Sequence, residues 1–250
     1  MKRFDWTIFL GVGLGVSAIV AGAWFEDLNI SFLWHPTAFL VVGGGTLGAV
    51  IVRRGIVGVT NAIKAVWKLR LNDDQGENHR TELARLAWLS RTAQKNGVKE
   101  YENYADGSND RLVAQGLILV ADCADKTRIE EVLKRQLEQE DQAGSQDAAT
   151  LEAAGGFAPT FGILGAVLGL ISVLRVLDRP DALGAGIATA FVATIYGLSF
   201  ANLLFLPLSA RLRSRHDDHM KRREELSIVL MSLGTKESPR AIINQFNLQK

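Results

Sequence analysis

The 250-residue chain has one cysteine, Cys123, five prolines and almost no net charge, +1 from 28 Lys and Arg against 27 Asp and Glu. A single cysteine excludes an intrachain disulfide framework and any CxxC metal or redox site. A charge this close to zero argues against nucleic acid as the main partner. No GxxxxGK[ST], nucleophile-elbow or HExxH run occurs, so these signatures of P-loop nucleotide binding and hydrolytic catalysis are missing.

The charges that are present avoid four stretches. Trp6 to Phe25 carries no ionisable side chain, and Leu33 to Val52 carries only His35 before it stops at Arg53 and Arg54. Further stretches run over 155–174 and 183–210, each ending against charge. About 20 helical residues reach across the roughly 30 Å hydrocarbon core, so all four read as membrane spans. A cleavable signal peptide is the competing reading of 6–25, but the run is too long for an h-region and has no clean small-x-small site before Glu26 and Asp27.

Basic residues flanking spans stay on the cytoplasmic side. Lys2 and Arg3, Arg53 and Arg54, and Arg211, Arg213 and Arg215 all fall on one side. The turn EDLNIS has no basic residue, and RVLDRPD is short and balanced. The expected fold is therefore an all-α membrane protein, four transmembrane helices in two hairpins with a helical cytoplasmic domain inserted between spans two and three. Its divisions are a first hairpin (1–54), the insertion (55–154), a second hairpin (155–210) and a C-terminal tail (211–250), with both termini cytoplasmic.

The insertion reads as helical throughout. Ile56, Val59, Ile63 and Val66 recur at helical spacing beside Lys64, Lys68 and Arg70, which suits a helix at the membrane surface. Asn78 is positioned to cap a helix ending at Asn96 and Gly97. The apolar run from Asn109 to Ala124 is too short to cross lipid and is expected inside a bundle. Thr127 starts a charged helix that can run on into span three.

The span interiors hold no Asp, Glu, Lys or Arg. An ion path through a bilayer normally needs an ionisable group near its middle, so the chain conducts only with a partner that brings a carboxylate, or not at all. It does offer hydroxyls, among them Thr46, Thr160, Thr189 and Thr194, and the small-residue pairs Gly11/Gly15 and Gly165/Gly169. Pro159 and Pro207 both lie toward the inner ends of their spans. His35 reads as an interfacial polar anchor, Cys123 as a small buried hydrophobe, KRREE (221–225) as a solvated helix face, and His216 and His219 as polar surface rather than a metal site.

Ala158 to Leu174 (APTFGILGAVLGLISVL) and the run from Arg179 to Leu212 resemble the last two membrane helices of the MotA/PomA flagellar stator subunits, within the wider MotA/TolQ/ExbB channel superfamily. HPTAFLVVGGGTLGAV resembles the second helix of that family, and SPRAIINQF its C-terminal motif. The resemblance implies a non-enzymatic subunit of the bacterial inner membrane, without cofactor. It implies a homo-oligomeric ring around a MotB-type single-span partner with a membrane Asp, in a lipid bilayer, and a push on the rotor protein FliG. Pro159 and Pro207 match the family's coupling prolines, with Thr160, Thr189 and Thr194 along the same pathway. Glu102 matches its acidic rotor residue; where the family has an arginine this chain has Gln94, leaving Arg91 or Lys95 as the cation. Ala166 stands where sodium-type relatives carry a threonine, which favours protons over sodium as the translocated ion. An ExbB/TolQ-like energiser, a sodium-driven PomA-type stator and a non-conducting four-helix scaffold are the alternatives.

Overall fold

The computed structural model describes residues 3–4, 6–25, 33–69, 71–72 and 75–235. Lys2, the EDLNIS turn, Arg70 and the SPRAIINQF run (238–246) lie outside these residues, and of residues 3–4, 71–72, 75–78 and 180–182 only the backbone is described. The chain divides into two compact units, 3–72 with 145–214, and 1–2 with 73–144 and 215–250. The stretch 55–154 is thus shared between the units, and the segment from Arg215 onward groups with residues 73–144 rather than standing as a separate tail.

The membrane unit contains α1 (Thr7–Phe25), α2 (Pro36–Phe39), a π-helical stretch (Leu40–Gly44) and α3 (Gly45–Leu69). Gly55, at φ 69° and ψ 169°, breaks α3 directly after Arg53 and Arg54. Only glycine adopts that conformation without steric cost, and it separates span two from the amphipathic segment that follows. In that segment Ala62 and Leu69 are buried while Ile56, Ile63 and Trp67 stay exposed. A two-residue antiparallel pairing joins β1 (Arg3–Phe4) to β2 (Leu71–Asn72).

Four further helices follow: α4 (Gln75–Asn96), α5 (Lys99–Gly107), α6 (Arg111–Ala121) and α7 (Lys126–Leu174). The second hairpin is completed by α8 (Pro180–Ser199), a π-helical stretch (Phe200–Phe205) and α9 (Leu206–Gly234). Helix α4 begins at Gln75, so Asn78 lies inside it rather than capping it. Gly97, at φ 97°, ends it as expected.

In the second unit, α6 packs on α4, α7 and α9 through Leu86, Leu89, Leu112, Leu117, Ile129, Leu133, Val229 and Leu230. This is the bundle position expected of the short apolar run. Asp110 starts α6 by accepting from the amides of Leu112 (2.9 Å) and Val113 (3.4 Å). At the other end Ala124 N–H donates to the Leu119 carbonyl and Cys123 N–H to that of Val120. This is the Schellman pattern, and Cys123, at φ 53°, takes the left-handed position usually held by glycine. Cys123 is accordingly exposed, not buried, because a residue just past a helix end points away from the helix face that packs.

Candidate ion-pathway and coupling site

The second hairpin is held by residues without side-chain bulk. A Cβ on Gly169 would stand 2.7 Å from the Ala190 amide nitrogen, one on Gly165 2.6 Å from the Ala193 Cβ, and one on Gly197 2.7 Å from the Ala158 carbonyl oxygen. Helices α7 and α8 therefore touch backbone to backbone, the approach that small residues permit in lipid. Gly15 lies close against the Leu203 side chain, whereas among the described residues a Cβ on Gly11 would meet nothing within 4 Å.

Pro159 lies inside α7, and a Cβ on Gly197 would come within 3.2 Å of its Cα. Its missing N–H frees the carbonyl of Gly155, and Gly155 in turn packs on Leu206, the neighbour of Pro207. The fold thus brings both prolines to one end of the hairpin, and Pro207 lies two residues past the π-helical turn at 200–205. Such turns recur at functional sites because their backbone has already departed from the α ladder. Beside Pro159, the Thr160 hydroxyl donates to the Phe157 carbonyl (2.6 Å). Thr160, Phe157, Gly156, Glu152 and Arg53 line a cleft of about 510 Å³, and Arg213 reaches Glu152 at 3.2 Å.

Further along, Thr194 donates to the Ala190 carbonyl (3.2 Å) and Thr189 to that of Ala185 (2.8 Å). Their protons satisfied on their own helix, these hydroxyls keep oxygen lone pairs for another group. Ala166 on α7 is half-buried and adds no oxygen. Sequence reasoning placed His35 at the rim of span two; the fold sets its Nε2 3.0 Å from the Thr189 hydroxyl, 154 positions away in the chain.

In the second unit Arg91 and Lys95 lie one turn apart on α4 and Glu102 on α5, all three exposed. The KRREE run is not uniformly solvated: Lys221 and Glu224 are exposed, but Arg223 is buried and grips Glu140 through two bonds of 2.8 Å while its third nitrogen donates to Asp110. Burial opposes its charge, yet hydrogen bonds and attraction from Glu140 and Asp110 outweigh it and raise its pKa above the ordinary arginine value. His79 pairs with Glu225 (2.6 Å) and His216 with Asp141 (2.8 Å). His219 has its pKa lowered by burial and by the neighbouring Arg223 charge. Among the described residues no three His, Cys, Asp or Glu side chains gather as a metal site. The Arg223 cluster escaped sequence reasoning because Asp110, Glu140 and Arg223 are far apart in the chain and each looks like ordinary surface.

Residues 104–225 match the MotA/TolQ/ExbB proton channel family. Motility protein A of Helicobacter pylori (strain ATCC 700392 / 26695) is 29% identical over 241 residues, which cover 96% of this chain and 93% of that protein. The solved structure of C. jejuni MotAB matches with a TM-score of 0.83 at 25% identity, covering 98% of this chain and 95% of that one. The flagellar MotAB stator complex from Bacillus subtilis matches with a TM-score of 0.81 at 26% identity, over 96% and 94% of the two chains.

Proposed function

We propose that this chain, whose residues 104–225 match the MotA/TolQ/ExbB proton channel family, works as a MotA-type stator subunit, coupling proton flow through the inner membrane to torque on a flagellar rotor. One observation carries the reading: four spans form a packed unit whose interiors hold no Asp, Glu, Lys or Arg. A multi-pass protein of this kind lacks an ion-carrying carboxylate and keeps the small-residue hairpin and the two prolines that would move with one. The matched structures are MotAB complexes, which supports a MotB-type partner supplying the aspartate, encircled by a ring of copies of this chain. The three basic clusters support cytoplasmic termini. Ala166, offering no ligand to replace sodium's water, supports protons.

Purified alone in liposomes, the chain is expected to pass no protons down an imposed gradient. With a single-span, Asp-bearing partner it is expected to pass them at a rate indifferent to sodium. Flux from the chain alone overturns the partner reading, and flux that needs sodium overturns the proton reading.

The same reading gives Arg91, Lys95 and Glu102 the role of electrostatic contact with the rotor protein FliG. Exposed charge pairs contribute only about 0–1 kcal/mol each. Neutralising Glu102 should therefore reduce swarm diameter only in part. Reversal, Glu102→Lys, should reduce it more, and a reversed charge on the rotor should restore some of the loss. If reversal at all three positions leaves swarming at the wild-type level, the contact lies elsewhere.

A further inference from the structure

His35 is the only imidazole in the spans, the other three histidines lying at 79, 216 and 219. Its backbone amide donates to the Tyr196 hydroxyl at 3.3 Å, and that hydroxyl donates to the Leu33 carbonyl. The segment before α2 is thereby pinned to α8, and the imidazole is delivered to Thr189. Thr189 lies about 13 Å along α8 from Pro180 at 1.5 Å per residue, well inside the helix rather than at its outer rim. Thr194 and the level of the expected ion path follow about 7 Å further in by the same measure.

The hydrogen bonds assign the tautomer. Thr189 has one hydroxyl proton, and it is used on the Ala185 carbonyl at 2.8 Å. At His35 the hydroxyl oxygen must then accept, so Nε2 carries the hydrogen and Nδ1 is left as a bare acceptor. Nδ1 is fully buried and, among the described residues, has no hydrogen-bond partner. Buried polar atoms are nearly always paired, and an orphan inside a membrane unit stands out as a functional position. Among the described residues the ring's hydrogen-bond partner is Thr189 on α8, while the Tyr196 phenol bonds the His35 backbone amide and the carbonyl of Leu33. Arg175, Asp178 and Arg179, on the connection before α8, are exposed, and among the described residues none of them pairs with the ring.

We propose that His35 is a proton-binding residue on the outer side of the ion path, taking a proton at Nδ1 from outside and thereby setting how proton flow responds to external pH. The inference rests on the proposed stator function and orientation. A proton taken up on Nδ1 makes the ring an imidazolium, and loss of that proton from Nδ1 returns the neutral Nε2–H ring, so proton and charge balance over each cycle. Histidine suits the task because its neutral ring keeps one nitrogen free to bind a proton. Lone-pair oxygens at Thr189 and then Thr194 lie inward of it.

The test is torque from tethered beads, driven by the complete complex with its partner, measured against external pH at clamped internal pH. Wild type is expected to show a step in torque that His35→Gln and His35→Asn lose, since both amides can bond Thr189 but neither titrates. Thr189→Ala, which removes the Nε2 partner and leaves the ring, is expected to shift the step. Variant profiles that superpose on wild type overturn the inference while leaving the stator function standing. Should neither His35 variant assemble, the Thr189→Ala profile decides, and an unmoved step overturns the inference. A wild-type complex that produces no proton-driven torque refutes the stator reading itself, independently of His35.

Discussion

Pro159→Ala and Pro207→Ala are each expected to abolish flagellar rotation while leaving membrane levels and assembly close to wild type. Proline removes a ladder hydrogen bond and crowds the carbonyl one turn back, so alanine at 159 can return an N–H to Gly155. The net gain of one such bond is about 1 kcal/mol, which favours a straighter helix over misfolding. What is lost is the freed carbonyl and the yielding backbone at the end where Gly155 meets Leu206 beside Pro207. Pro207 differs in following a π-helical turn; there the alanine variant is expected to let α9 close onto a ladder the native chain leaves open. Bead rotation with immunoblots of the membrane fraction checks both. Normal rotation in both variants removes the coupling role.

Arg223→Met should destabilise the second unit by about 1.5–3 kcal/mol, the scale of the charged hydrogen bonds it removes. The guanidinium side chain is 9% exposed and joins Asp110, which also caps α6, to Glu140 on α7. Removing it leaves two half-buried carboxylates facing each other and weakens the start of a helix whose apolar face fills the core. Arg213→Ala is the contrasting case. Its pair with Glu152 has both side chains more than half exposed, so a change within about 1 kcal/mol is expected. Thermal unfolding of the purified chain in detergent, followed by proteolysis of the second unit, measures both. Equal effects would mean that burial does not set the strength of the Arg223 cluster.

Much of the architecture was readable from residue order alone, because the bilayer imposes a local rule. A charged side chain cannot be left in hydrocarbon without large cost, so stretches without Asp, Glu, Lys or Arg announce the spans wherever the rest of the chain goes. Gly97 ends its helix through its own backbone freedom, and the short apolar α6 declares itself by a length too small for lipid. The candidate site was legible to the extent that it is local: Pro159, Pro207, Thr160, Thr189 and Thr194 each bear a backbone or hydroxyl property visible in one dimension.

The rest depends on which residue lies opposite, and that is settled only when distant segments meet. Gly11 and Gly15 are equivalent in sequence, yet among the described residues a Cβ on Gly15 would press on Leu203 and one on Gly11 would meet nothing within 4 Å. Arg223 sits in a run of charges that looks solvated, but the bundle closes over it with Asp110 and Glu140. Cys123 is exposed because the turn after α6 needs a left-handed residue there. His35 seemed a rim anchor until Tyr196 and Thr189 placed its ring against the middle of α8. Composition and spacing determined what crosses the membrane and where helices end, since those follow from each residue's own cost in lipid or in a helix. Tertiary structure decided burial, pairing and the orphaned nitrogen, since these are properties of contacts between residues that the sequence holds far apart.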